Sequence, residues 1–253
     1  MKLYDDIITR CNTMLQPFPC QYCETVVRSG TGTVAGTDVW EQESEQRILF
    51  KKDMAYELGG GNLPAYSGVA FTSDESVGDE IIVCGPDLQQ LKEDSPYARL
   101  TVIRVDDSTW VDNGQAYRVL RRLDYTRYHI YPKGFLIRIS TAAHREPVRV
   151  GREALRAGLD FEQVGNLFLN AYHSHPEVLG VRIVFITDKD FPYEEFGEAV
   201  RKMDRVTESL NQIFNNLVMD CTACKLKPVC DEVDGLRELH FAADGKISKT
   251  ENW

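Results

Sequence analysis

Three cysteines, Cys221, Cys224 and Cys230, stand in the order Cys-x2-Cys-x5-Cys directly after a long amphipathic stretch. Thiolates two residues apart can grip one metal from a single turn, and a third a few residues on closes another side. Soft sulfur donors suit zinc or an iron–sulfur cluster, and closed sites of both kinds take four protein ligands. Candidates for the fourth are His240 downstream and, through space, Cys20 or Cys23. The competing reading is three unlinked thiols buried as small hydrophobes, a common fate of cysteine. Thioredoxin-type chemistry at Cys20-x2-Cys23 is disfavoured, because that pair opens a helix after a strand and here the flanks are Pro17, Pro19 and Glu24. Cys11 and Cys84 have no partner in sequence, and Cys84 reads as core.

A second chemical signal is positive. Residues 118–156 hold nine Arg and one Lys against three acids, a local charge of +7 in a chain of net charge −10. Arg145, Arg149, Arg152 and Arg156 step by four, three and four. On a helix opened by Pro147 the last three share a face, with Arg145 at its entrance. Guanidinium forks bind phosphates in pairs of hydrogen bonds, so such a face fits a phosphorylated ligand or an acidic partner protein. The alternative is a solvated face paired with the chain's surplus Asp and Glu.

Other patterns carry less. Gly59-Gly60-Gly61-Asn62 lacks the Lys-Ser/Thr of a P-loop and reads as a tight turn. His173-x-His175 stands where a helix ends, a place that favours histidine through the helix dipole. There is no Gly-x-Ser-x-Gly and no His-Glu-x-x-His, which leaves ordinary hydrolase chemistry without a motif. The negative net charge argues against nucleic-acid binding. With 253 residues, 43% of them apolar, the chain is long enough for a packed core. No apolar run reaches a membrane-spanning length and no secretory leader is visible, so a cytoplasmic, reducing setting is expected, in which close cysteines ligate metal before they form disulfides.

The elements that must hold these residues alternate in type. Short β-branched runs at Glu80 to Cys84, Arg99 to Val105, Gly134 to Ser140 and Val181 to Thr187 predict strands. Helical periodicity covers Gln115 to Arg127, Pro147 to Gly158, a segment opened by Asp160 and Gln163 as a capping box, and Tyr193 to Leu217. The expected fold class is α/β: a mixed sheet with helices packed on it, as a single layered domain over 46–219. Residues 1–45 read as an extension, with a Gly/Thr-rich hairpin or loop from Ser29 to Thr37, and 220–253 as a short cysteine-containing metal-binding tail.

Several stretches together resemble the acetyl-CoA synthase subunit of the CO dehydrogenase/acetyl-CoA synthase complex. They are Lys52-Asp53-Met54-Ala55-Tyr56-Glu57-Leu58-Gly59-Gly60 running to Pro64-Ala65-Tyr66, Ile82-Val83-Cys84-Gly85-Pro86-Asp87-Leu88, Val150 to Phe161, Val184-Phe185-Ile186-Thr187-Asp188, and the long helix leading into Cys221-x2-Cys224. The resemblance covers residues 45 to 235, like the middle domain of that enzyme and the opening of its metal domain.

The resemblance implies a metal role for Cys221 and Cys224 in a 4Fe-4S cubane bridged to nickel, with Cys230 as a third ligand and His240 where the family's fourth cysteine stands. It also implies CoA binding at the arginines Arg138, Arg145, Arg149, Arg152 and Arg156, although Pro147 replaces an expected tryptophan. The family's Cys-Gly-Cys for the distal nickel has no counterpart here. The expectation is therefore an accessory iron–sulfur protein of CO, one-carbon or corrinoid metabolism, without nickel and without acetyl-CoA synthesis by this chain alone. It would dock a corrinoid protein or another subunit of such a complex. The alternatives are a CoA- or acyl-handling subunit that uses a partner's metal centre, and a zinc-stapled interaction module.

Overall fold

The computed structural model describes residues 3–27, 40–106, 113–140, 144–214, 224–233 and 236. Its main sheet grows from three apolar strands: β4 (Glu80–Cys84), β5 (Tyr97–Val105) and β8 (Val178–Ile186). Near-continuous β-branched and aliphatic runs of this kind belong in the interior of a sheet covered on its faces. β8 lies between the other two, parallel to β4 and antiparallel to β5. β3 (Ala65–Thr72) adds alongside β5 in parallel, and β1 (Cys20–Cys23) closes the other edge against β4, antiparallel. The order is β1-β4-β8-β5-β3. A second, antiparallel sheet has β7 (Val148–Gly151) between β2 (Met54–Leu58) and β6 (Phe135–Ile137).

Helices cover the main sheet. α4 (Phe161–His173) packs on β8 and β4, where Gly165 permits close approach: a Cβ there would lie 2.8 Å from Ile81. α5 (Tyr193–Phe214) packs on β3 through Val200 and Met203, and the expected stripe from Phe196 to Leu210 is buried. α2 (Asn113–Thr126) lies against α5 and α4. The mixed α/β architecture expected from the sequence is the one observed.

Asp160 caps α4 as its spacing predicts, its carboxylate accepting from the Gln163 N–H at 2.8 Å. The helix expected from Pro147 requires correction. Val148-Arg149-Val150-Gly151 forms the central strand of the small sheet, and only α3 (Arg152–Arg156) is helical before Gly158 stops it at φ 98°. The alternation of two buried valines about a half-buried arginine is a period of two, and pairing on both sides decides for the strand.

Residues 3–27 are packed into the domain. α1 (Asp5–Leu15) buries Ile7, Ile8, Cys11 and Met14 in the common core, and Tyr4 just before it meets Phe71 of β3 edge-on at 5.6 Å between ring centroids. Beyond β1 the chain is tied to α4, where the Asn166 amide bridges the Val26 N–H and the Glu24 carbonyl. The Ser29 to Thr37 stretch lies outside the described residues.

Cys20 and Cys84 face each other across the β1–β4 pair and form a disulfide spanning 64 residues. Cys84 is core, as expected, yet it has a partner that sequence spacing could not reveal. A loop of this length loses much of its unfolded-state freedom when closed, an effect typically worth about 2–4 kcal/mol. Urea unfolding should therefore show Cys20→Ala less stable than the oxidised chain by about that amount, and the wild type in dithiothreitol should shift likewise. Identical midpoints with and without reductant would show the two sulfurs unbonded.

Candidate functional site

The cysteine tail is fastened to the end of the longest helix. α6 (Lys227–Glu232) packs on α5, burying Val229, with Val233 and Leu236 following it into the core. Lys202 of α5 pairs with Glu232 at 3.1 Å. The Cys224 carbonyl accepts from the Lys227 N–H at 3.2 Å and so opens the turn into α6, while the Cys230 N–H donates to the Leu226 carbonyl. Both cysteines are half-buried, and Cys230 packs against the core. Cys221 and His240 lie outside the described residues, and among the described residues no three His, Cys, Asp or Glu side chains converge as metal ligands.

The alternative ligands fare differently. Cys20 is corrected: bonded to Cys84, it has no thiolate to give. Burial pushes the Cys23 thiol up to about 12, the carboxylates of Glu162, Asp87 and Asp160 adding to the effect. His173 and His175 do not share a site either. His173 Nε2 lies 2.7 Å from Asp79 at the end of α4, and His175 Nε2 lies 2.8 Å from the Thr126 hydroxyl. Burial, and behind it the Arg122 guanidinium, pulls the His175 pKa down.

The five candidate arginines do not form one helical face. Arg145, in the turn before β7, donates to the carbonyls of Gly59, Gly61 and Leu63 at 2.8–3.0 Å. Gly59 and Gly61 adopt φ of 65° and 58°, which confirms the tight turn expected of the glycine run and shows that Arg145 clasps it. Arg149 in β7 donates to the Leu49 carbonyl at 3.1 Å, and Arg138 pairs with Glu57 at 2.8 Å. Arg152 Nε donates to the Met54 carbonyl at 2.9 Å. The anion-binding face is thus largely taken up by backbone carbonyls and Glu57, and Arg156 is left exposed on α3.

Arg152 and Arg156 do share one feature. They line a groove of about 980 Å³ together with Trp40, Ile48, Lys52 and Lys133. The Trp40 indole N–H donates to the Lys133 carbonyl at 2.8 Å, and the Lys133 ammonium pairs closely with Glu41. Glu43, Glu45, Asp53 and Glu153 also stand on the walls, so the groove is mixed in charge. Sequence reasoning passed over Trp40 and Lys52, because the residues that bring them to Arg156 are separated by more than 100 positions.

These features define a mixed α/β domain with an aromatic and charged groove on its small sheet and a cysteine-bearing helix docked on its longest one. The chain belongs to the CO dehydrogenase/acetyl-CoA synthase complex beta subunit family, which it matches over residues 39–191, more than half of its length. No curated protein matches the chain in sequence. The matched stretch contains both sheets except β1; it ends before α5, so Cys221, Cys224 and Cys230 lie outside it. No helix of the described residues is long and apolar enough to cross a membrane.

The arginine geometry yields a direct test. Arg145→Ala strips three carbonyls of a donor and should lower the free energy of urea unfolding by about 1–3 kcal/mol. Arg156→Ala should stay within about 0.5 kcal/mol of wild type. An equal effect of both substitutions would contradict the clasp.

Proposed function

We propose that this chain is a metal-carrying accessory subunit of a CO dehydrogenase/acetyl-CoA synthase-type complex, holding an iron–sulfur cluster through Cys221, Cys224, Cys230 and His240. The observation that carries the reading is the anchoring of α6. A short helix packed on α5, with Val229 buried, holds Cys230 half-buried against the core, with Cys224 at its entrance. Sulfur donors fixed in this way fit a soft metal, and an iron–sulfur centre would supply one-electron transfer there. Family membership supports a protein partner, and a corrinoid protein or a further subunit of the complex is the partner proposed.

Anaerobic purification followed by a visible spectrum and Fe, Ni and Zn analysis tests the site. Brown protein with about four irons per chain is expected, lost in Cys224→Ala. Colourless protein with one zinc would replace the cluster by a structural staple, and metal content unchanged in Cys224→Ala would sink the ligation itself.

A second reading is favoured by the groove. Trp40 beside Lys52, Arg152 and Arg156 offers a ring for a base and cations for phosphates, the two needs of CoA, and supplies from another segment the aromatic residue that Pro147 displaces. Tryptophan fluorescence titrated with CoA should show quenching that Arg156→Glu abolishes; equal affinity in the variant would return Arg156 to the solvated surface.

A further inference from the structure

Between β3, the end of α2 and α5 lies a second cavity, of about 310 Å³, that neither the cysteine tail nor the groove accounts for. Its wall holds a guanidinium that is nearly enclosed. Arg127, in the 3-10 turn after α2, is 9% exposed; its Nη2 donates to the Tyr128 hydroxyl at 3.0 Å and lies 3.3 Å from Asp124. Its Nε has no acceptor.

Behind the wall is a second arginine. Arg99 stands in the middle of β5, fully buried, with its guanidinium carbon 4.0 Å above the Phe168 ring. Its Nη2 reaches Ser67 at 3.0 Å and Glu146 at 2.6 Å, and both of those residues line the cavity. Arg99 Nε and Nη1 have no acceptor, and the hydroxyls of Thr101 and Tyr172 are likewise without partners. Burial pushes the Tyr172 hydroxyl's pKa up, and Arg99, Arg127, Asp124 and Glu146 all lie close enough to act on it, which puts it in the same polar neighbourhood behind the cavity wall. Across Arg127, Arg99, Thr101 and Tyr172 five buried atoms able to donate a hydrogen bond lack an acceptor, against one unpaired acceptor beside them, Glu146 Oε1, whereas buried polar groups in folded proteins are nearly always paired.

The charge balance limits what can supply the acceptors. Counting Arg99, four guanidiniums meet four carboxylates: Arg99, Arg121, Arg127 and Arg145 against Asp124, Glu146, Asp204 and Glu208. Unpaired donors outnumber the unpaired acceptor while the formal charges balance, so a dianion would meet repulsion from Asp204 and Glu208. One further group is poised at the wall. His144 Nδ1 lies 2.8 Å from Asp204, and among the described residues it is the one non-glycine in the left-handed region, at φ 48°. Backbone strain of this kind clusters at ligand-binding positions.

We propose that this cavity binds a small carboxylic acid as its monoanion, the carboxylate taking its hydrogen bonds from Arg127 on the wall. A planar carboxylate matches a guanidinium fork, and the volume lies at the lower end of small-molecule sites, about 300–1,000 Å³. The Ser140 hydroxyl on the cavity wall suits an acid that carries a further polar group.

The test is calorimetric titration of the full chain with acetate, glycolate, acetamide and inorganic phosphate. Saturable binding of a carboxylate is expected, tighter than that of phosphate and absent for the isosteric neutral acetamide. Arg127→Gln should abolish it. Glu208→Gln, an exposed change at the rim, should tighten it severalfold and keeps the proposal testable should Arg127→Gln unfold. No saturable carboxylate binding would mean that water fills the cavity and would overturn the proposal. So would tighter binding of phosphate, or an affinity untouched by Glu208→Gln.

Discussion

The dipeptide Arg145-Glu146 is the joint on which the rest of the structure turns. The Glu146 carboxylate reaches the buried Arg99 of β5, its backbone N–H donates to the Ala65 carbonyl at the start of β3, and Arg145 clasps the glycine turn between β2 and β3. Two residues thereby fix the small sheet to the large one. Removing one partner of such an enclosed ion pair leaves an uncompensated charge in a medium that solvates it poorly, which is far more damaging than the pair is stabilising. The pair is therefore better understood as fixing the relative position of the two sheets than as a source of net stability. The small sheet lines the groove, and Arg145 and Glu146 themselves line the second cavity.

The basic stretch takes on a different meaning in this light. Nine arginines in 39 residues look, in sequence, like a surface for a polyanion. Folded, Arg145, Arg149 and Arg152 bond backbone carbonyls, Arg138 and Arg149 approach Glu57, Arg127 meets Asp124, and Arg122 meets Glu177. An always-charged, multiply donating side chain can satisfy loops whose own carbonyls find no strand or helix partner. The local charge excess is in large part a means of organising irregular backbone, and the functional arginines are the few left over at the groove and the cavity.

What could be read in sequence followed the range of the interactions involved. β4, β8, the Asp160 cap and the α5 stripe depend on neighbours within a turn or a strand, and they stand close to where periodicity puts them. Val148 to Gly151 reads as helix in sequence, and the pairing of β7 with both β2 and β6 overturns that reading. The Cys20–Cys84 disulfide joins residues whose proximity exists only once β1 docks on β4, so spacing pointed Cys20 to its near neighbour Cys23 instead. Of the chemical sites, the cysteine tail was legible because its ligands are local. The second cavity was not, though one signal stood in plain view: Arg99 and Thr101 inside the apolar run of β5, polar residues where a buried central strand has no need of them.

α5 links these features into one arrangement. Its Val200 and Met203 rest on β3, its Lys202 holds the cysteine-bearing α6, and its Asp204 and Thr207 stand on the wall of the second cavity, where Thr207 also meets the Tyr4 hydroxyl from the N-terminal segment. Successive turns of one helix thus serve the core, the tail and the cavity. That division of labour explains why the stripe of apolar residues is narrow and why the polar positions beside it are committed to partners at long sequence separation. The family match ends just before this helix, at residue 191, so the matched stretch supplies the sheets and the groove while α5 adds the wall that closes the cavity and the platform that carries the cysteines.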